Sequence, residues 1–258
     1  MSETPATLLQ AAAELARLAG DVALRHFRTG VAVETKGDGS PVTVADRAAE
    51  QAARDWVRRR FPADGVLGEE FGVERPEARR RWIMDPIDGT KSFVHGVPLW
   101  GTLIAVAEGE TVLAGAAYFP PMGELLAAAP GEGCWWNERR CRVSEVATLG
   151  EATVLTTDER FRERPAYAAG WRRLADAARV SRTWGDCFGY LLVATGRAEV
   201  MVDPVMSPWD SAALQPIVAE AGGVFTDWQG TPSAFAGSVV ATNAAVAAEA
   251  RALLVADR

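Results

Sequence analysis

Residues 82–93 read WIMDPIDGTKSF. The apolar run Trp82-Ile83-Met84 ends in Asp85 and Asp88, with Pro86 between them and the pair Gly89-Thr90 behind. A short, uninterrupted apolar run bounded by turn residues predicts a strand buried on both faces. This one emerges at concentrated charge. Pro86 removes a backbone donor and stiffens the chain, so both carboxylates can point to one side, and the Ile87 carbonyl can add an uncharged oxygen. Gly89 permits close backbone approach, and the amides of Gly89 and Thr90 are free to hold a phosphate oxygen.

Three further acidic groups extend the pattern. Asp46 falls in the first turn of a helix predicted from PVTVADRAAEQAARDWVRRRF, where a carboxylate is also an ordinary cap. Glu69-Glu70 follows a short strand, Val66-Leu67, and Asp210 begins a helix in PWDSAAL. In layered sheets, strand ends and the helices that follow them converge on one crevice. If these acids meet, each pair of like charges about 4 Å apart costs roughly 4 kcal/mol at an effective dielectric of 20, enough in sum to cancel the stability of an ordinary domain. Either the acids protonate or cations sit among them. Oxygen donors without histidine or thiolate select Mg²⁺, Mn²⁺ or Ca²⁺, with Mg²⁺ the best match. One acidic turn alone would be read as capping; four groups together point to a cation site.

The rest of the chain sets the frame. Its 258 residues carry a net charge of −7, which disfavours a nucleic-acid partner, because phosphate-backbone binding needs clustered Lys and Arg. The basic run Arg58 to Arg60 is read as the solvated end of a helix. No apolar stretch of about 18 residues could span a bilayer, and the acidic N-terminus lacks the charge of a secretory signal, so the expected location is cytoplasmic. Cys134, Cys141 and Cys187 lack CxxC spacing and are read as reduced thiols, mostly buried. His26 and His95 have no partner at ligand spacing and are read as structural. Apolar spacing predicts helices over about Thr7 to Phe27, Arg164 to Ala178, Cys187 to Thr195 and Trp209 to Ala221, the last closed by Gly222-Gly223. Successive strands between residues 66 and 136 predict a mixed or antiparallel sheet, and strand–helix alternation follows. The division falls near Val143 to Gly150, giving an N-terminal α+β layer (1–145) with most of the acids and a C-terminal α/β layer (146–258) with Asp210.

LGEE, WIMDPIDGTKSF and PWDSAALQPIVAEAGG together resemble the inositol monophosphatase family of Mg²⁺-dependent phosphatases, and the resemblance runs from Lys36 to Asn243. It implies an α/β fold layered as an α-β-α-β-α sandwich, usually a homodimer. It further implies about two or three Mg²⁺ ions held by Glu69, Asp85, the Ile87 carbonyl, Asp88 and Asp210, with Asp46 hydrogen-bonded to Thr90 to orient the attacking water and Glu69 sharing the catalytic work. Glu70 would support the ligands or cap the loop. Lys36 matches a family lysine near the metals, although an exposed charge is its default reading.

The stretch TWGDCFGYLLVATGRAEVMVDPVMSPWD is most similar to the histidinol-phosphate phosphatase branch. That similarity implies a small phosphate monoester as substrate, L-histidinol phosphate of histidine biosynthesis first. Gly89, Thr90, Gly185, Asp186, Cys187, Asp203 and Asp210 would be substrate contacts. A carboxylate at Asp186 suits a substrate bearing ammonium and imidazole groups, while a helix cap is the alternative for Asp186 and a small apolar role for Cys187. Inositol or another sugar monophosphate is the alternative substrate. A catalytically inactive, metal-binding relative is the alternative of another class, and it would require the loss of a ligand or of the water-orienting pair.

Overall fold

Thr4 opens the first helix, α1 (Pro5–Leu24): its side chain accepts from the Thr7 amide and Pro5 stands at the first helical position. The computed structural model describes residues 3–37 and 39–255. Helix α1 stops short of the predicted Phe27: the His26 and Phe27 amides donate three residues back, to Ala23 and Leu24, and the chain then turns at Arg28, φ 61°. A hairpin of β1 (Val33–Thr35) and β2 (Pro41–Thr43) leads into α2 (Val44–Arg60). The Arg58 and Arg60 side chains at its end reach Glu74 and Glu14 at the surface.

The large sheet gathers β3 (Gly65–Gly68), β4 (Gly72–Glu74), β5 (Arg80–Asp88), β6 (Gly101–Glu108), β7 (Thr111–Phe119), β8 (Glu124–Ala129), β9 (Gly133–Trp136) and β10 (Arg139–Arg140), with the short helix α3 (Thr90–Val94) between β5 and β6. Its order is β10-β9-β8-β7-β6-β5-β3-β4. Only the β3–β5 pair is parallel, so the sheet is mixed. Both faces are covered, as the apolar run in β5 predicts: Trp82 and Met84 pack under α1 and α2, whereas Ile83 faces the C-terminal half.

In that half, β11 (Thr153–Thr156), α4 (Ala168–Ala177), β12 (Val180–Arg182), α5 (Asp186–Ala194), β13 (Val200–Asp203), α6 (Pro208–Ser211), α7 (Leu214–Glu220), β14 (Val224–Thr226), β15 (Val239–Thr242) and α8 (Ala247–Val255) follow in turn. The second sheet has the order β12-β11-β13-β15-β14. Helices α5 and α7 lie between the sheets, where Leu191 and Ile217 share a core with Leu103 and Met201, and α4 and α8 close the outside through Trp171 and Leu254. The result is an α-β-α-β-α sandwich. Among the described residues no helix is long and apolar enough to cross a membrane. The three cysteines are free, with Cys134 and Cys187 buried, Cys141 half-buried and the sulfurs of Cys134 and Cys141 3.4 Å apart.

Two predicted helices are corrected. The segment from Arg164 begins as a 3₁₀ turn, Pro165–Tyr167, before α4. The helix expected over Trp209 to Ala221 is two helices, α6 and α7. Pro216 is the reason: it has no N–H to give the carbonyl of Ala212, four residues back, and its ring crowds that position. The break also lets the chain rest on the large sheet, because a Cβ at Gly115 of β7 would lie 2.2 Å from the Ala213 carbonyl oxygen. Gly115→Ala is therefore expected to destabilise the protein by about 1–3 kcal/mol, read as a lower urea midpoint with an unchanged slope.

Candidate active site

Strand β5 loses its regular register with β6 between Asp85 and Asp88, so the DPID segment bulges where it leaves the sheet. The bulge is held from both sides: Asp85 Oδ1 accepts from the Ile87 amide at 2.9 Å, and the Thr102 hydroxyl donates to the Pro86 carbonyl at 2.8 Å. Gly89 then turns the chain at φ 90°. A side chain there is excluded twice, by the left-handed backbone and by the Leu99 carbonyl 2.9 Å from where a Cβ would stand.

Asp210 reaches the same place from the start of α6, where its Oδ2 accepts from the Ser207 amide at 2.8 Å. Asp85, Asp88 and Asp210 each offer a carboxylate oxygen within 4.8 Å of the others. They line a cavity of about 170 Å³ together with Glu69, Ile87, Gly89, Thr90, Asp186 and Asp203. Acids scattered from residue 69 to residue 210 thus meet in one pocket. Lys36 Nζ donates at 2.7 Å to both Glu69 and Glu70, so Glu70 stands beside the pocket, tied to the lysine.

The protonation equilibria register the crowding. Burial, then the charges of Glu69, Asp88 and Asp210, push Asp85 well above the ordinary carboxylate range. Asp88 rises for the same reason, with Asp186 and Asp210 as its charged neighbours. Burial takes Asp210 and Asp203 up to about 7 and Asp186 up to about 6. Glu70 also rises to about 7 by burial, against the pull of Lys36. Carboxylates held at this proximity bind protons or cations. The donor set is all oxygen, and buried Asp46 Oδ1 has no hydrogen-bond partner. The first of these features fits a hard divalent cation; Asp46 itself does not line the cavity.

Other predicted residues take more specific places. Asp46 does cap α2: its Oδ2 accepts from the amide and the hydroxyl of Thr43, each at 2.7 Å. The expected Asp46–Thr90 hydrogen bond is not formed, because the Thr90 hydroxyl donates instead to the Ile87 carbonyl at 3.0 Å. Cys187 does not line the cavity. It is buried beneath it, and its amide donates to Asp88 Oδ2 at 2.7 Å, so it orients a pocket carboxylate through its backbone. Gly185, the residue before α5, lines a neighbouring cleft with Lys91 and Thr183.

Asp186 is not a side-chain cap. Its backbone adopts φ 50°, its amide donates to the Thr157 hydroxyl at 2.8 Å, and its carboxylate faces the pocket. A non-glycine residue in the left-handed region is strained and persists only where its surroundings fix it. Asp203 is anchored, with Oδ2 accepting from the Tyr190 hydroxyl at 2.9 Å and Oδ1 from the Thr157 amide at 3.2 Å. Thr157, which orders both Asp186 and Asp203, carried no signal in the sequence. Glu50 was also missed, although it follows Asp46 by one helical turn.

The five-layer sandwich and its acid-lined pocket define a class. The chain matches the inositol monophosphatase family over residues 4–257 and belongs to it, and with it to the phosphoric monoester hydrolases. The histidinol-phosphatase of Chlorobaculum parvum is 45% identical over 239 residues, 92% of each chain. That of Mycobacterium tuberculosis is 41% identical over 216 residues, covering 82% of this chain and 83% of the relative. Among solved structures, the inositol monophosphatase of Zymomonas mobilis matches with a TM-score of 0.87 at 32% identity, covering 98% of this chain and 99% of the other.

Proposed function

We propose that the protein hydrolyses L-histidinol phosphate to L-histidinol and inorganic phosphate with Mg²⁺ as its cofactor. Glu69, Asp85, the Ile87 carbonyl, Asp88 and Asp210 would hold the ions, which supply positive charge beside the phosphoryl group and lower the pKa of water. The amides of Gly89 and Thr90 hold a phosphate oxygen. Asp46, with its unpaired Oδ1, and Thr90 orient the water that attacks phosphorus. One P–O bond forms to that water, the P–O bond to the alcohol breaks, and one of the water's two protons ends on the departing alkoxide while the other stays with the phosphate. Because charge builds on the phosphoryl oxygens, placing charge and orienting groups around them is the main source of acceleration.

Asp186 carries the choice of substrate. Its carboxylate faces the pocket from a strained backbone, with Lys91 as a nearby cation and Asp88 as a nearby carboxylate. A substrate bearing an ammonium and an imidazole gives that carboxylate a partner, whereas inositol offers only hydroxyls. The 45% identity with a relative named histidinol-phosphatase supports the same reading. Asp186→Asn is expected to lower kcat/KM for L-histidinol phosphate roughly tenfold to a hundredfold, the worth of one hydrogen bond to a charged group, and to leave inositol 1-phosphate nearly untouched. The likeness to the Zymomonas mobilis enzyme supports inositol 1-phosphate as the second reading. Phosphate release from the two compounds, measured side by side with and without Mg²⁺, separates them: preference for inositol 1-phosphate overturns the narrower assignment.

A further inference from the structure

Glu69 sits on a tight turn, and what holds that turn lies outside the pocket. Strands β3 and β4 pair from Gly68 to Gly72, leaving Glu69, Glu70 and Phe71 as a three-residue hairpin loop. The amides of Glu70 and Phe71 point inward, an arrangement that binds anions. The anion bound is a side chain of the protein itself. Glu50 of α2, fully buried, accepts from the Glu70 amide at 2.7 Å and from the Phe71 amide at 3.1 Å.

Arg54, one helical turn further on and 3% exposed, donates to Glu50 through Nε at 2.8 Å and to the Gly72 carbonyl at 2.5 Å. Its guanidinium also lies 5.8 Å from the centre of the Phe71 ring. Gly68 completes the fit, since a Cβ there would stand 2.1 Å from Glu50 Oε1.

A buried ion pair is a poor device for stability alone, because apolar side chains of similar volume often serve as well. This pair does something apolar groups cannot, fixing the direction of three backbone groups in the turn that presents Glu69. That direction needs fixing. The Glu69 charge opposes those of Asp85 and Asp210; Lys36 holds its carboxylate at 2.7 Å, and a turn with a free backbone would let the pair swing away together. Helix α2 also carries Asp46 in its first turn, so one rigid element places Asp46 directly and Glu69 through Glu50 and Arg54.

We propose that Glu50 and Arg54 are positioning residues of the cation site, setting its affinity for a divalent ion that they do not touch. The inference rests on reading the pocket as a divalent-cation site. Its test is calorimetric titration of the full-length, chelator-treated protein with Mn²⁺, comparing wild type, Glu50→Gln and Leu254→Ala. The last truncates a core residue in the outermost layer and lowers thermal stability far from the pocket.

Glu50→Gln is expected to bind Mn²⁺ about 10–100-fold more weakly, the usual effect of losing a residue that orients a metal ligand, while Leu254→Ala binds as wild type does. Should Glu50→Gln not fold, Arg54→Lys, which keeps the charge but not the guanidinium's reach to Gly72, is read in its place. Affinity within twofold of wild type, or an equal loss in Leu254→Ala, overturns the inference and leaves the cation reading standing. A wild-type protein that binds no Mn²⁺ overturns both.

Discussion

Asp88→Asn is expected to abolish phosphate release and, in metal-free buffer, to raise the melting temperature. Both effects follow from one carboxylate. Asp88 has a carboxylate oxygen within 4.8 Å of those of Asp85 and Asp210, so removing its charge removes repulsion from the metal-free fold. The bond that orients it survives, because an asparagine carbonyl oxygen can still accept from the Cys187 amide, now 2.7 Å from Asp88 Oδ2. Folding is therefore preserved or improved. Catalysis is not, because an ion held by one charge fewer stabilises the transition state less. Metal ions supply several kcal/mol of that stabilisation, so its loss lowers kcat by roughly a thousandfold or more. Single-turnover phosphate release and a thermal melt on the same preparation check both halves. Turnover at the wild-type rate would remove Asp88 from the site.

The second large effect concerns pH. Asp186 rises from an ordinary 3.8 to about 6, and Asp203 and Asp210 from 3.8 to about 7, each chiefly through burial. Above about pH 4 the unfolded chain has released protons that the native state still holds at these three sites. Raising the pH from about 4 to about 7 therefore withdraws stability from the metal-free protein. Mg²⁺ reverses the trend, since ions take the place of the protons and bind more tightly as those protons leave. The melting temperature without Mg²⁺ is expected to fall across this range, by about 2–4 °C for each kcal/mol lost. The gain from saturating Mg²⁺ is expected to be greater at pH 8 than at pH 5. Scanning calorimetry at the two pH values checks it, and equal gains at both would show that protons and cations do not compete in the pocket.

Much of this was legible because the sequence departs from ordinary patterns at the site. Trp82-Ile83-Met84 reads as a strand buried on both faces, and such a strand has no structural need to end at Asp85 and Asp88. Asp46 and Asp210 read as helix starts, which they are, and for Asp210 that position brings the carboxylate to the end of β5. What escaped was hidden by ambiguity of a physical kind. Glu50 and Arg54 stand four apart on a helix, the spacing of a solvent-exposed ion pair, and only the packing of the 68–72 turn over them makes the pair internal. The Thr90 hydroxyl turns to the Ile87 carbonyl three residues back, and no sequence pattern decides a rotamer. The break between α6 and α7, by contrast, was written in Pro216, but the apolar spacing across residues 209–221 concealed it.

On the proposed function, the pocket these acids form works only with divalent ions in it. The most direct test strips the full-length protein of metal with a chelator, removes the chelator, and follows phosphate release from L-histidinol phosphate as Mg²⁺ is added back. No release beyond the uncatalysed background is expected before addition, and full activity is expected to return on titration. Undiminished release from the stripped protein would contradict the proposed function.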